Sequence, residues 1–441
     1  MHRNSTQPGL ASQLLAPSRH CLAGAIALGP LALPTLANDG ATEAAATLNA
    51  MQEEEWSAGE FRDALTGGNM WVKLRYRFET VDQQGFAEDA YSSTLQTLFG
   101  YETGEYKNFR GLLEIRNLSV LGDPDSYNST LNGVTSRPVV ADAEATDVNQ
   151  VFLGYTGVTD TDLRVGRRRI KLDNDRFVGN VGWRQNEQTF DGFSAEYAGD
   201  SDFGLFYSYV QNVNRIFSDN SPIGNARMDT HLINASFDFE DYGKLVAYGY
   251  LLDYTYTPTS STSSIGVRMS GKPTFDNWSL SYEAEYAKQK DYGDNPNNVD
   301  ADYMLGSLGY HRSGWTLKGG YEVLGGSGRT GDSFQTPLAT LHSFNGWADM
   351  FLVTPDAGLR DAYGQLGWSY GDGGFALIFH DFSPDSGNGE YGQELDVLWT
   401  HKVNKDLNVG VKYADYNADD AAVGAQAPDT KKGWIWASYS F

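Results

Sequence analysis

Seven cationic side chains lie close together in a chain that is otherwise strongly acidic. The sequence holds 33 Lys and Arg against 57 Asp and Glu, a formal net charge of −24. Within residues 164–184 the cations are Arg164, Arg167, Arg168, Arg169, Lys171, Arg176 and Arg184. Guanidinium groups bind carboxylates through two parallel hydrogen bonds, so a concave surface that carries them attracts anionic solutes. The competing interpretation is that they pair with Asp173, Asp175 and Glu187 and only brace a wall, and we expect roughly half of them to do so.

Further cations occur in segments that alternate strictly between apolar and polar residues. One side of residues 70–79 would carry Met70, Val72, Leu74, Tyr76 and Phe78, and the other Trp71, Lys73, Arg75, Arg77 and Glu79. Residues 107–118 repeat the pattern. Successive side chains of a strand point to opposite faces, so each segment is predicted to turn one face to lipid and one to an aqueous lumen. By this alternation the cations best placed to line the lumen are Lys73, Arg75, Arg77, Arg110 and Arg116.

The same alternation recurs along the whole chain and predicts an all-β fold. The segments that show it are residues 70–79, 92–102, 107–118, 147–156, 161–171, 190–198, 203–211, 230–239, 243–252, 264–271, 276–288, 301–311, 314–324, 360–370, 374–382, 391–401, 406–416 and 432–441. An even number of such strands is typical of bacterial membrane barrels. We therefore predict a transmembrane antiparallel β-barrel of about eighteen strands, surrounded by outer-membrane lipid of a Gram-negative bacterium. Phe441 ends the last segment, and we expect the barrel-assembly machinery to be a partner through it.

The first residues are typical of an export signal. Arg3 and Arg19 precede an apolar run over residues 21–33, and small residues follow up to Ala37. The expected divisions are a cleaved signal peptide at residues 1–37, a periplasmic lead at residues 38–67 and the barrel at residues 68–441. Cys21 is the single cysteine, so the mature chain has neither disulfides nor thiol chemistry. The strong net acidity argues against nucleic acid as a partner.

One connection is too long and too apolar for a simple turn. Residues 325–359 join two predicted strands, and connections longer than about 12–15 residues are usually functional. Two interpretations remain open: a constriction or gating loop folded into or over the pore, and an aromatic collar that rests on the barrel rim. The residues expected to form this constriction are Phe334, His342, Phe344, Trp347 and Asp349.

Two blocks of the sequence resemble the alginate-export family of outer-membrane barrels. The first block holds Gly166-Arg167-Arg168, Arg176-Phe177-Val178-Gly179, Trp183 and Thr189-Phe190-Asp191-Gly192. The second covers residues 336–349 and 354–361. The resemblance implies an eighteen-stranded barrel with a positively charged pore, through which a polyanionic polysaccharide moves passively. We expect Arg167, Arg168, Arg176 and Arg184 to lie at or near the narrowing.

The sequence therefore favours a passive channel for anionic polysaccharide or uronate-like solutes, with no enzymatic activity. A general porin that takes up organic acids or sugars needs the same barrel and remains an alternative. A more distant alternative is a hydrolase inside the barrel that uses His380 or His342. The histidines lack metal-ligand spacing, and the loop acids lack the spacing of a defined Ca²⁺ loop, so neither a metal nor another cofactor is expected.

Overall fold

A computed structural model describes residues 58–199, 202–240, 242–420, 422 and 424–441. The predicted signal peptide and the first part of the lead lie outside the described residues. A short helix, α1 (Ala58–Thr66), is followed by strands only, apart from three single-turn 3₁₀ helices. The strands are β1 (Asn69–Gln83), β2 (Ala90–Glu102), β3 (Phe109–Val120), β4 (Ala145–Val158), β5 (Thr161–Arg168), β6 (Thr189–Ala198), β7 (Phe203–Asn214), β8 (Asn225–Asp238), β9 (Lys244–Leu252), β10 (Thr262–Gly271), β11 (Thr274–Phe275), β12 (Trp278–Asp291), β13 (Asp300–Arg312), β14 (Trp315–Leu324), β15 (Leu359–Tyr370), β16 (Gly373–Ser383), β17 (Gly392–Lys402), β18 (Leu407–Ala418) and β19 (Thr430–Ser440).

The strands form one closed antiparallel sheet. Each strand pairs with its neighbours in the chain, and β1 also pairs with β19. The closure continues to the last residue, because the backbones of Val72 and Phe441 exchange hydrogen bonds of 2.9 and 3.1 Å. The two-residue β11 only extends the edge between β10 and β12, so eighteen strands surround the lumen. The predicted barrel and its strand number are confirmed. No helix among the described residues is long and apolar enough to cross a membrane.

The two faces of the wall differ as the alternation predicts. On β2, Ser92, Thr94 and Gln96 are buried inside, whereas Tyr91 and Phe99 are exposed outside. An apolar outer face suits lipid, and a polar inner face suits water.

The two rims of the barrel differ in their connections. At one, here the turn rim, strands are joined by short links such as residues 159–160, 313–314 and 371–372. At the opposite one, the loop rim, the long connections begin. Two of these fold back into the lumen, namely inner loop 1 (residues 169–188) and inner loop 2 (residues 325–358). They meet through a hydrogen bond of 2.9 Å from the amide of Gly179 to the carbonyl of Leu338.

Inner loop 1 begins earlier than the sequence suggests. The predicted strand over residues 161–171 ends at Arg168, because the chain leaves the wall there. Ile170 is only 2% exposed and packs in the interior core. Burial of this side chain and the ion pairs of Arg169 with Glu187 and Glu114 outweigh the strand pattern.

The hydrophobic core lies inside the lumen, where the inner loops touch the wall. Phe177 of inner loop 1 packs against Tyr248, Tyr303 and Phe334, with ring centroids 5.0, 5.3 and 5.8 Å apart. Phe334 of inner loop 2 is fully buried. Burial of each large aromatic side chain contributes about 1.5–3 kcal/mol, so this cluster holds both loops inside the barrel.

Barrel closure predicts a simple electrophoretic behaviour. Refolded residues 58–441 should migrate faster unheated than boiled on a detergent gel, because a closed sheet resists unfolding until it is heated. Deletion of residues 430–441 removes β19, leaves β1 and β18 as open edges and should abolish the difference. Phe441→Ala is the control, because it keeps the backbone hydrogen bonds with Val72. A shifted band for the deletion variant would contradict closure through β19.

Candidate functional site

Arg75 and Lys73 lie on the lumen face of β1 and are not neutralised by direct pairing. The Arg75 guanidinium donates to neutral oxygens: Gln185 Oε1 at 2.8 Å, the Gly182 carbonyl at 2.9 Å and the Arg184 carbonyl at 2.5 Å. Lys73 is exposed toward the turn rim. Both side chains therefore keep a positive charge that a solute can reach.

The other strand cations predicted to line the lumen are engaged with acids. Arg110 contacts Asp162 at 2.6 Å and Glu102 at 3.0 Å. Arg116 contacts Asp147 at 3.1 Å and is buried. These pairs are consistent with bracing of the wall.

Arg77 is buried on β1 with its charge only loosely paired. Its guanidinium carbon lies 4.2 Å from the centre of the Trp183 ring, and Nη2 donates to the Trp183 carbonyl. The nearest carboxylate is that of Asp142, at 3.9 Å. Arg77 therefore anchors inner loop 1 through a cation–π contact and a backbone hydrogen bond.

Arg167 and Arg168 point to opposite sides of the wall. Arg168 donates to Ser194 Oγ at 2.6 Å inside the barrel. Arg167 shares its side of β5 with Val165, which is 54% exposed, and pairs with Asp191 at 2.8 Å. The expectation that Arg167 lies at the narrowing is therefore wrong, because strand alternation turns it outward.

Arg169, which is not among the residues predicted to line the pore, organises the base of inner loop 1. It bonds Glu187 and, at 2.5 Å, Glu114. Asn149 donates to both carboxylates at 2.6 Å. Burial acts to raise the pKa of Glu187, yet the hydrogen bonds and charge of Arg169 lower it below its usual value. Glu187 is therefore an anion bound to its own loop.

Arg176 links the two inner loops. Its Nε lies 2.6 Å from Glu322 Oε1, and its Nη2 donates to Asn345 Oδ1 at 2.9 Å. The guanidinium lies 4.8 Å from the centre of the Phe344 ring. Arg176 is 1% exposed, so its ion pair with Glu322 is structural, and the side chain lies away from the open cavities.

Arg184 belongs to a connected group of charges between the loops and the wall. This septum cluster comprises Glu79, Arg184, His342, Asp349, Lys412 and Lys432. Arg184 contacts Glu79 at 3.1 Å and Asp349 at 3.0 Å, and Lys432 contacts the same oxygen of Asp349 at 2.8 Å. One carboxylate thus holds two cations, one from inner loop 1 and one from β19.

His342 extends the cluster toward β18. Its Nδ1 lies 2.7 Å from Asp349 Oδ1, and its Nε2 lies 2.8 Å from Lys412 Nζ. A neutral ring that donates at Nδ1 and accepts at Nε2 satisfies both partners. Burial lowers the pKa of His342 well below its usual value near 6.5. Burial acts to raise the pKa of Asp349, but the hydrogen bond with His342 and the positive charges of Lys432 and Arg184 hold it well below 3.8.

Lys412 sits in an aromatic cage. Its ammonium lies 3.7 Å from the Trp347 ring centre and 4.3 Å from that of Trp183. The Trp183 ring in turn stacks on His342 at 4.9 Å. The sequence signal for Lys412 is its position on β18, where it alternates with the exposed Val411 and Tyr413.

The predicted constriction residues divide into two groups. His342, Trp347 and Asp349 meet in the septum cluster or at the cage beside it. Phe334 instead belongs to the aromatic core, and Phe344 covers Arg176. Inner loop 2 thus lies inside the lumen, as one of the two interpretations expects, and the collar interpretation is wrong.

Two cavities approach each other at the septum cluster. The turn-side cavity has a volume of about 660 Å³ and includes Lys73, Arg75, Lys402 and Lys405 in its lining. The loop-side cavity has a volume of about 550 Å³. Arg184 lines both. Arg184 is therefore the side chain that the two cavities share.

The histidines proposed for hydrolysis have other partners. His342 contacts Asp349 and Lys412, and His380 Nδ1 lies 2.9 Å from Asp361. The partners are thus carboxylates and, for His342, also the Lys412 amine. Among the described residues no group of three or more His, Cys, Asp or Glu is arranged to hold a metal ion.

Removal of the Arg176 side chain should destabilise the barrel interior. Arg176→Ala leaves the buried Glu322 carboxylate without its cation, which typically costs about 3–5 kcal/mol. Guanidinium unfolding monitored by tryptophan fluorescence measures this loss. Lys171→Ala, which breaks an exposed pair with Asp175 on the same loop, should cost about 0–1 kcal/mol. Equal losses for the two variants would contradict a structural role for Arg176.

His342 should make stability depend on pH. Its pKa in the folded chain lies below the unfolded value, so below about pH 6.5 the unfolded chain binds a proton that the folded chain does not. Stability is thus full above that pH and falls by about 1.4 kcal/mol per pH unit on acidification. Unfolding at pH 7, 6 and 5 should show this slope, and His342→Gln should flatten it. His231→Gln is the control, and an unchanged slope in His342→Gln would refute the assignment.

The family model described as alginate export matches residues 68–327 of this chain. Solved structures with a similar fold include Acinetobacter baumannii OccAB4, at 13% identity and a TM-score of 0.64, covering 84% of this chain and 97% of that one. Pseudomonas aeruginosa OccK9 (OpdG) has 16% identity and a TM-score of 0.67, covering 86% and 99%. Pseudomonas aeruginosa OpdK with vanillate has 14% identity and a TM-score of 0.64, covering 85% and 98%.

No curated protein sequence matches the chain. The identities of the solved structures are low, so they establish the barrel fold alone. The family model, in contrast, covers more than half of the chain. The chain therefore belongs to the alginate-export family and is an outer-membrane β-barrel of a Gram-negative bacterium.

Proposed function

We propose that the channel passes small anionic solutes that carry carboxylates, of the size of a uronate, passively along one basic wall of the lumen. The observation that carries the proposal is the lining of the turn-side cavity. Its cations are Lys73, Arg75, Arg169, Arg184, Lys402 and Lys405, and its acids are Glu187 and Asp406. A cavity with this excess of positive charge concentrates anions despite the net charge of the whole chain.

The cations suggest a sequence of binding steps. A solute that enters at the loop rim meets Arg184 at the junction of the two cavities. Arg75 lies beside it, because Arg75 Nη2 donates to the Arg184 carbonyl at 2.5 Å. Lys73 follows two residues further toward the turn rim on the same face of β1. Each step exchanges one hydrogen-bonded cation for the next, so no single site binds tightly enough to retain the solute.

The lining of the opposite wall of the lumen also supports a path for anions along the basic side. A third cavity of about 310 Å³ has Glu283, Glu322, Asp361 and Lys318 in its lining. Glu322 is already paired with Arg176, and the lining carries no excess of positive charge that would attract an anion. The lumen thus has one basic side and one acidic side.

Passage of a long polyuronate is the second candidate, and membership of the alginate-export family favours it. The inner loops would then have to move, because the septum cluster separates the two cavities. Conductance block by uronate monomers, dimers and octamers separates the candidates. Block and permeation by monomers alone support small solutes, whereas octamers that cross from one side to the other support the polymer.

Loss of the unpaired cations should reduce anion selectivity. Lys73→Ala with Arg75→Ala should shift the reversal potential under a salt gradient toward cations, because two accessible positive charges leave the lumen. Arg167→Ala removes one positive charge from the outer side of the wall and should leave the reversal potential unchanged. Planar-bilayer recordings of the refolded mature chain make the measurement. The same reversal potential in the double variant and the parent would contradict the basic-path mechanism.

A further inference from the structure

The loop-side cavity has apolar walls that a sugar acid does not need. Its lining includes Phe86, Val139, Leu341, Leu352 and Val353. Phe86, Val139 and Leu352 are 39, 46 and 44% exposed, although they lie on loops and not on the lipid-facing wall. Apolar side chains left accessible together in a concave site mark a place where an apolar ligand group binds.

The floor of the same cavity holds two cations that can bind a carboxylate. The protein's own Asp349 carboxylate already binds them. Arg184 and Lys432 both line the cavity, and both contact Asp349 Oδ2, at 3.0 and 2.8 Å. Asp349 itself lines the cavity beside them. A solute carboxylate in this cavity therefore reaches the same two cations that the carboxylate of Asp349 now binds.

We propose that the loop-side cavity binds a monocarboxylate with an apolar body, and that this carboxylate displaces Asp349 from Arg184 and Lys432. The inference deepens the proposed function and rests on it. It names an amphipathic anion, such as an arylacetate, as the preferred solute class. The apolar body packs against Leu341 and Leu352, while the carboxylate takes over the two charge-assisted hydrogen bonds.

Displacement would release one of the links between the inner loops, the ion pair of Arg184 with Asp349. Asp349 is the residue through which inner loop 2 holds Arg184 of inner loop 1, and Arg184 lines both cavities. When the solute takes the place of Asp349, Arg184 is bound to the solute and no longer to inner loop 2. The same side chain then faces the turn-side cavity, where Arg75 and Lys73 lie. Binding of the solute and opening of the contact between Arg184 and Asp349 are thus the same event, in which one carboxylate replaces another.

The exchange keeps both cations paired, and only the Asp349 carboxylate gives up its cations. The two cations keep one carboxylate before and after, so neither is left buried and unpaired, which would be costly. The displaced Asp349 keeps His342 as a hydrogen-bond partner through its other oxygen, Oδ1. Its φ of 63° is left-handed, a conformation that Asp and Asn adopt more readily than most residues. Asp349→Asn is therefore compatible with the backbone and removes only the competing charge.

Binding to the refolded mature chain in detergent tests the inference, with tryptophan fluorescence as the readout because Trp183 and Trp347 adjoin the cluster. Three probes are titrated: phenylacetate, the neutral phenylacetamide of similar shape, and the polar carboxylate glucuronate. Phenylacetate should bind roughly tenfold more tightly than either of the others. Equal affinity for phenylacetate and glucuronate would overturn the amphipathic preference.

Two variants test displacement itself. Asp349→Asn should raise the affinity for phenylacetate by roughly tenfold, because it removes the internal competitor. Lys432→Gln should lower that affinity by a similar factor. Asp332→Asn, which breaks the pair with Arg329 elsewhere in inner loop 2, is the matched control and should change nothing. Unchanged or weaker binding in Asp349→Asn, or unchanged binding in Lys432→Gln, would overturn the displacement.

The bilayer recordings keep this inference separate from the proposed function. An anion-selective parent channel that does not prefer phenylacetate leaves the basic path standing and removes only the amphipathic solute class. A channel without anion selectivity removes the proposed function and this inference with it. Heat-modifiable migration of each variant shows that the barrel has folded before binding is measured.

Discussion

Closure of an eighteen-stranded sheet leaves an interior that wall side chains cannot fill, and the rest of the structure depends on how that space is occupied. Barrels of 16 to 18 strands enclose an aqueous channel unless something else enters. Here two loops from one rim enter it. They bring their own aromatic core, in which Phe177 and Phe334 pack against Tyr303 of the wall. The lumen thus contains a hydrophobic core, a basic turn-side cavity and a largely apolar loop-side cavity.

The inner loops also determine which charges remain available. Arg176 and Arg169 are neutralised by Glu322, Glu187 and Glu114, because a buried cation without a counter-ion would destabilise the fold. Arg75 is different, since its guanidinium is satisfied by amide and carbonyl oxygens alone. A net charge of −24 therefore coexists with a basic path. The spatial distribution of charge, and not its sum, sets the selectivity of the lumen.

The septum cluster joins the two inner loops to the wall through charged contacts. Asp349 connects inner loop 1, through Arg184, to β19, through Lys432. It connects as well, through His342, to the caged Lys412. Every one of these contacts is a charged or polar hydrogen bond that a solute carboxylate can replace. A joint made of apolar packing would be equally stable but could not be exchanged by an anion.

The alternation of apolar and polar residues by itself determined the strands, their number and the faces of β1, because side chains in a strand alternate with a period of two whatever they pack against. It also marked Lys73 and Arg75 as lumen cations. It could not orient Arg167, which lies in a run of consecutive arginines without a clear apolar partner face. Only the tertiary structure decided which loops enter the lumen and which cations stay unpaired. The reason is distance along the chain: Arg176 meets Glu322 across 146 positions, and Arg184 meets Asp349 across 165.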